Sequence, residues 1–187
     1  MVAVCAASSV RYAAVYLGAL RAGVVVAPLA PSVTPEAMAS MLGDAQARLL
    51  FADAQGTAAV PPAVMQGAGA LALDDAGAGT PWSQWLAPEG AAPQPVDVGP
   101  EHPFNIIYSS GTTGNPKGIV QSHGMRWAHL VRGLSQGYGP DSVTLLATPL
   151  YSNTTLVSFF PGLCWGGSVR LMAKFDALRY LQTAQQI

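Results

Sequence analysis

The sequence predicts an α/β fold: a mainly parallel β-sheet with flanking helices. Short apolar runs alternate with segments whose apolar residues recur at helical spacing. The runs are apolar almost throughout, the pattern of strands covered on both faces. Strand–helix–strand lengths of this kind suit right-handed βαβ units.

The elements follow in order. Val2–Cys5 reads as a first short strand. Ser8 and Ser9 offer N-caps to a helix with Val10, Ala13, Ala14, Leu17 and Leu20 on its apolar face. Arg21 sits in its last turn, and Gly23 ends it as a glycine beyond the C-cap. Val24–Ala27, bounded by Pro28, reads as a buried strand. Thr34-Pro35-Glu36 supplies a cap, a proline at the first helical position and an early acid. Met38, Met41, Leu42 and Ala45 share the apolar face of that helix, and Arg48–Ala52 is the next strand. The stretch from about 56 to 103 is an irregular Ala/Gly/Pro-rich connection with a strand at Ala70–Leu73. Gly67, Gly69 and Ala72 match a dinucleotide-binding spacing. That fingerprint needs a strand before it and a helix after it, so here it reads as a chance match. Segments 1–54 and 104–172 are expected to contribute mainly parallel strands.

Composition narrows the function. Half the residues are hydrophobic (50%) and only 10% are charged, against roughly 25% in ordinary domains. Intrinsic disorder is excluded, since it needs low hydrophobicity and high net charge. Nine Lys and Arg against ten Asp and Glu give a formal charge of -1. That leaves no basic footprint for nucleic acid or an anionic membrane surface. The longest apolar stretch, Tyr12 to Ala30, is broken by Gly18, Arg21, Gly23 and Pro28, so no transmembrane segment is expected. A cytoplasmic location is the default. Cys5 and Cys164 read as two buried free thiols, and no Cys/His cluster points to a bound metal.

The informative stretch runs from Phe104 to His123. Phe104–Tyr108 is a buried-strand pattern leading into Ser109, Ser110, Gly111, Thr112, Thr113 and Gly114. These small residues can bring hydroxyls and backbone N–H groups around a polyanion without obstruction. Asn115-Pro116 turns the chain, Lys117 adds one cation, and Gly118 permits a return into a second strand at Ile119–Gln121. Ser122 then caps a helix from about His123 to Ser135. The chemistry suited is phosphate handling. It is not a Walker A loop, because Pro116 precedes the lysine, Gly118 follows it, and a strand rather than a helix comes next.

Tyr108 to Gly118, YSSGTTGNPKG, resembles the signature loop of the adenylate-forming superfamily, the AMP-dependent synthetases and ligases. The usual pattern is an aromatic, Thr or Ser, SGTTG, a variable residue, then PKG. Tyr16 to Pro31, Ala147 to Leu156 and Gly166 to Gln182 resemble further segments of that family in the same order. The resemblance spans nearly the whole chain. It implies the N-terminal α/β domain of such an enzyme, and a two-step reaction. A carboxylate attacks the α-phosphorus of ATP, expelling pyrophosphate, and a thiol, usually that of coenzyme A, then takes the acyl group. Ser109, Ser110, Gly111, Thr112, Thr113, Gly114 and Lys117 would hold the phosphates, with Mg2+ normally assisting. Tyr151, Ser152 and Asn153 stand where many members carry a histidine near the acyl carboxylate. They are either a smaller, neutral acyl-pocket lining or helix-capping residues. His123 and His129 read as packing or surface residues, and Trp82, Trp85, Trp127 and Trp165 as core.

Other family segments are not found: Tyr-Gly-x-Thr-Glu for adenine and magnesium, Thr-Gly-Asp for the ribose, and the C-terminal lysine that contacts the carboxylate. Residues 1–187 are therefore expected to be a partial AMP-binding domain without its C-terminal domain, inactive alone, and to carry no confident catalytic residue. The other readings are part of a peptide-synthetase adenylation domain, a non-catalytic nucleotide- or polyphosphate-binding remnant, and an unrelated α/β domain with a chance loop.

Overall fold

Val2–Cys5 forms β1, and all four residues are buried. In the computed structural model, which describes residues 1–67, 69–75, 77–109 and 116–187, β1 is the centre of a sheet. Ser9 caps α1 (Val10–Arg21) by accepting from the Tyr12 N–H, and Gly23 stands just beyond the helix with φ +66°. That left-handed value suits a residue without Cβ. β2 (Val26–Pro28) follows, then α2 (Pro35–Asp44), whose N-cap Thr34 accepts from the Ala37 N–H. β3 (Leu49–Ala52) completes the second βαβ unit. The Ala/Gly/Pro-rich segment carries α3 (Ala54–Ala59), α4 (Pro62–Gly67), β4 (Gly69–Ala72), β5 (Thr80–Pro81) and α5 (Trp82–Trp85). The GxGxxA match falls across α4 and β4, so no helix follows it to receive a pyrophosphate.

β6 (Pro103–Ser109) and β7 (Lys117–Ser122) come next, followed by α6 (His123–Ser135). Ser122 caps α6 by accepting from the Met125 N–H. Among the described residues, seven strands form one sheet in the order β5-β4-β3-β1-β2-β6-β7. Every pairing is parallel except β6 with β7. The mainly parallel fold is as the sequence predicts. Within 104–172 the exception is β7, which runs antiparallel because seven intervening residues are too few for a crossover helix. The remaining segment is β8 (Val143–Leu146), α7 (Asn153–Cys164), β9 (Ser168–Leu171) and α8 (Ala177–Ala184). β8 and β9 pair in parallel as a small separate sheet.

Helices on both faces bury two clusters. One joins Val4, Tyr12, Tyr16, Phe104, Phe159 and Phe160. The other joins Cys5, Leu29, Met38, Met41 and Leu50. The thiol expectation is half corrected: Cys5 is buried but Cys164 is exposed, since it is the last residue of α7. The tryptophan expectation is corrected too. Trp82 packs against the core, but Trp85 and Trp127 are exposed. No helix among the described residues is long and apolar enough to cross a membrane.

Candidate functional site

The β6–β7 hairpin builds the site. Its register pairs Tyr108 with Gly118 and Ser109 with Lys117. Two residues of the predicted phosphate loop thus stand opposite each other at its mouth, both exposed. Ser110, Gly111, Thr112, Thr113 and Gly114 lie outside the described residues. Lys117 makes no ion pair among the described residues, where Arg11 pairs with Asp75. Its charge is therefore available to an anion.

The base of the loop is braced from below. The Tyr108 hydroxyl lies 2.7 Å from Asp44 Oδ2 and 3.0 Å from the Met41 carbonyl oxygen. Burial first, then the Asp44 carboxylate, raises the Tyr108 pKa well above its ordinary value. It remains a donor at any working pH. Gly118 faces the same contact: a Cβ there would sit 3.0 Å from Asp44 Oδ2 and 3.1 Å from Tyr108 Cε1. The aromatic and the last glycine of the signature are thus explained by packing of the hairpin on the end of α2.

Further down the hairpin, a bulge lies between Pro103 and Asn105. Phe104 and Asn105 both approach Tyr16: the Asn105 amide donates to its hydroxyl at 2.7 Å, and the rings of Phe104 and Tyr16 lie 6.4 Å apart. Gln121, paired with Asn105 across the ladder, meets Arg126 from α6 and Asn153 from α7. Arg126 Nη2 donates to Gln121 Oε1 and, at 2.8 Å, to Asn153 Oδ1, and Gln121 Nε2 donates to the same Asn153 oxygen at 3.3 Å. The Arg126 guanidinium lies 5.6 Å from the centre of the Phe104 ring. Arg126 is 2% exposed, and burial lowers its pKa, opposed by nearby Tyr16. It also borders a cleft of about 320 Å³ with Phe104, His123, Trp127 and Leu130.

Ser152 occupies the N-cap position of α7, where its carbonyl accepts from Thr155 and Leu156 but its hydroxyl makes no cap bond. Tyr151, Ser152 and Asn153 are each partly buried. The structure brings Asn153 to Gln121 and Arg126, two residues that sequence reasoning passed over. A signal was present: Arg126, Leu130 and Gly133 follow one helix face, so an arginine sits in an otherwise apolar stripe. His123 packs edge-on against Phe104, with ring centres 4.9 Å apart. Burial, then His102, lowers its pKa. Among the described residues there is no cluster of three or more His, Cys, Asp or Glu that could hold a metal ion.

A family model described as AMP-binding enzyme matches residues 1–187. The chain belongs to that family. As a member of that family it is similar to AMB antimetabolite synthetase AmbB of Pseudomonas aeruginosa, 34% identical over 164 residues. That alignment covers 87% of this chain and 12% of AmbB. It is 39% identical over 122 residues to 3-hydroxybenzoate--CoA ligase of an Aromatoleum species, covering 58% of this chain and 22% of the ligase. Among solved structures it resembles ATP-bound MatB from Rhodopseudomonas palustris, with 29% identity and a TM-score of 0.79, covering 99% of this chain and 38% of that one. The chain therefore spans well under half the length of these relatives.

Proposed function

We propose that the intact protein activates a carboxylic acid with ATP and passes the acyl group to a thiol, and that residues 1–187 are part of its larger adenylate-forming domain. A carboxylate oxygen bonds to the α-phosphorus, and the bond to the bridging oxygen breaks. Pyrophosphate leaves with that electron pair. The thiol then attacks the acyl carbonyl and AMP departs. The observation that carries the reading is the Ser109–Lys117 pairing at the mouth of the hairpin, in a chain of this family. Ser109, Ser110, Gly111, Thr112, Thr113, Gly114 and Lys117 hold the departing phosphates. Such a transfer needs positioning and charge neutralisation more than covalent help. Magnesium enters this reading on the ATP phosphates. Tyr151, Ser152 and Asn153 line the acyl pocket.

Coenzyme A is the acceptor in this reading, supported by likeness to a relative named as a CoA ligase. A carrier-protein thiol is the acceptor in the peptide-synthetase alternative, and a carrier domain in the same protein would select it. We place the enzyme in the cytoplasm, where ATP and coenzyme A are available. The test is carboxylate-dependent exchange of pyrophosphate into ATP by the full-length protein. Lys117→Ala should slow exchange by roughly ten- to a thousandfold, the range for removing one transition-state charge partner. An unchanged exchange rate would remove Lys117 from the site. Phosphate binding with no exchange for any acid would leave the non-catalytic reading.

A further inference from the structure

The cluster of Gln121, Arg126 and Asn153 has a lopsided hydrogen-bonding capacity. Each acceptor is engaged: Gln121 Oε1 by Arg126, and Asn153 Oδ1 by both Arg126 and Gln121. Donors are left over. Arg126 Nε and Nη1 are buried without a partner. An Asn153 oxygen that faces two N–H groups also fixes which end of the amide is which, and leaves the NH2 end unpaired among the described residues. No carboxylate among the described residues lies within ion-pair distance of Arg126. A buried guanidinium without a counter-charge is strongly unfavourable, and the Phe104 face offsets only part of that.

We propose that this cluster binds a carboxylate, the second acidic group of the acid that the enzyme activates; the inference rests on the adenylation reading above. An anion that only accepts hydrogen bonds is what a positive cluster with surplus donors lacks. The position sets the shape of the substrate. Lys117, Ile119 and Gln121 alternate onto one face of β7. Ile119 between them is 50% exposed, so an apolar chain can lie along it. Gln121 stands four residues from Lys117, about 13 Å along the strand. The substrate in this proposal is an α,ω-dicarboxylic acid. One carboxylate reacts at the α-phosphate, beyond the departing phosphates that Lys117 holds, an apolar spacer lies along Ile119, and the far carboxylate docks on Arg126 and Asn153. Arg126 and Asn153 are specificity-determining residues in this scheme.

The experiment uses the full-length protein and three pairs of acids: adipic with hexanoic, suberic with octanoic, and sebacic with decanoic. Pyrophosphate exchange and calorimetric binding are both measured. The expected result is a preference of about tenfold or more for the better dicarboxylates over their monocarboxylic partners, the scale of one charge-assisted contact. Arg126→Gln should bring that ratio close to one, and Arg126→Lys should retain part of it. Asn153→Leu, which keeps the charge, should lower it and covers the case in which Arg126→Gln does not fold. No exchange with any acid would defeat the adenylation reading, while a dicarboxylate preference in binding that depends on Arg126 would still uphold the carboxylate site. Equal handling of the paired acids by the wild type would overturn the proposal. So would a loss in Arg126→Gln that falls equally on both members of each pair, which marks an acidic side chain of the protein itself as the partner.

Discussion

Cys5 is closed off from solvent beneath α3, with its sulfur 3.9 Å from the Gly56 carbonyl oxygen. Burial, and next the charge of Asp53, push its pKa up to about 12. Thiolate is the reactive form, so the folded state holds Cys5 as an inert thiol through the whole neutral range. Cys164, exposed at the end of α7, has no such protection. Brief treatment of the native chain with iodoacetamide at pH 8 should alkylate Cys164 and spare Cys5, as read by peptide mass spectrometry. Equal labelling would mean that the β1–α3 junction opens readily. The same shift has a sign for stability. A thiol whose pKa is raised by folding favours the folded state below its unfolded value, about 8.5. That contribution is lost as pH climbs from there towards 12. Sequence alone could not separate the two cysteines, because both stand in apolar surroundings and only the end of a helix tells them apart. The Ser/Thr/Gly run closed by Lys117 stands out in the sequence because small residues and one lysine at fixed spacing suggest their own chemistry, and its phosphate-binding role belongs to the proposed function. Gln121 and Arg126 do not stand out. Their significance lies in a meeting of three elements that are distant in the sequence.

At the scale of elements, the junction of β1 with α3 shows how closely backbone meets backbone. Asp53 ties it twice, accepting from the Ala7 N–H at 2.8 Å and from the Gly56 N–H at 2.7 Å. A Cβ added at Gly56 would lie 1.6 Å from the Cys5 carbonyl oxygen. No side-chain rotation relieves that, since the obstacle is the main chain of a central strand. Gly56→Ala should therefore destabilise the domain by about 3 kcal/mol or more, the upper end of overpacking costs. Urea unfolding would measure it, and a loss below about 1 kcal/mol would show that α3 can slide off β1. The order and type of the first five elements could be read from the sequence, because Ser9 and Gly23 bound α1 and Thr34 with Pro35 starts α2. The buried face of α1 could not, since Val10 and Leu17 are exposed and Tyr12, Val15 and Tyr16 face the core. Thr34 and Pro35 start α2 where they should, and Ser122 starts α6. The direction of β7 was harder. Its apolar run is compatible with either sense, and only the short connection to β6 decides it. α3, α4 and α5 were missed because short helices in Ala/Gly/Pro-rich sequence have too few turns to show a period.

At the scale of the molecule, residues 1–187 should not sustain adenylation as an isolated polypeptide. Catalysis needs the carboxylate, the α-phosphate and the nucleotide held together at near-attack distance. In the proposed reading Ser109 and Lys117 grip only the departing end of ATP. Gripping phosphates equally in ground and transition states adds affinity without rate. The surface argues in the same direction. β7 is an edge strand of the main sheet with Ile119 and Val120 exposed, and α8 turns Leu178 and Leu181 to solvent beside exposed Phe175. Unpaired strand edges and apolar patches of this kind drive self-association. The isolated polypeptide should therefore sediment as a concentration-dependent mixture of species and bind ATP or pyrophosphate weakly at best. The decisive assay supplies ATP, magnesium, coenzyme A and a panel of aliphatic, aromatic and dicarboxylic acids to the purified 187-residue chain. Sustained carboxylate-dependent release of pyrophosphate that Lys117→Ala abolishes would overturn this expectation. It would mean that a hairpin carrying one lysine, braced by α2, can orient both reactants without any group closing over them.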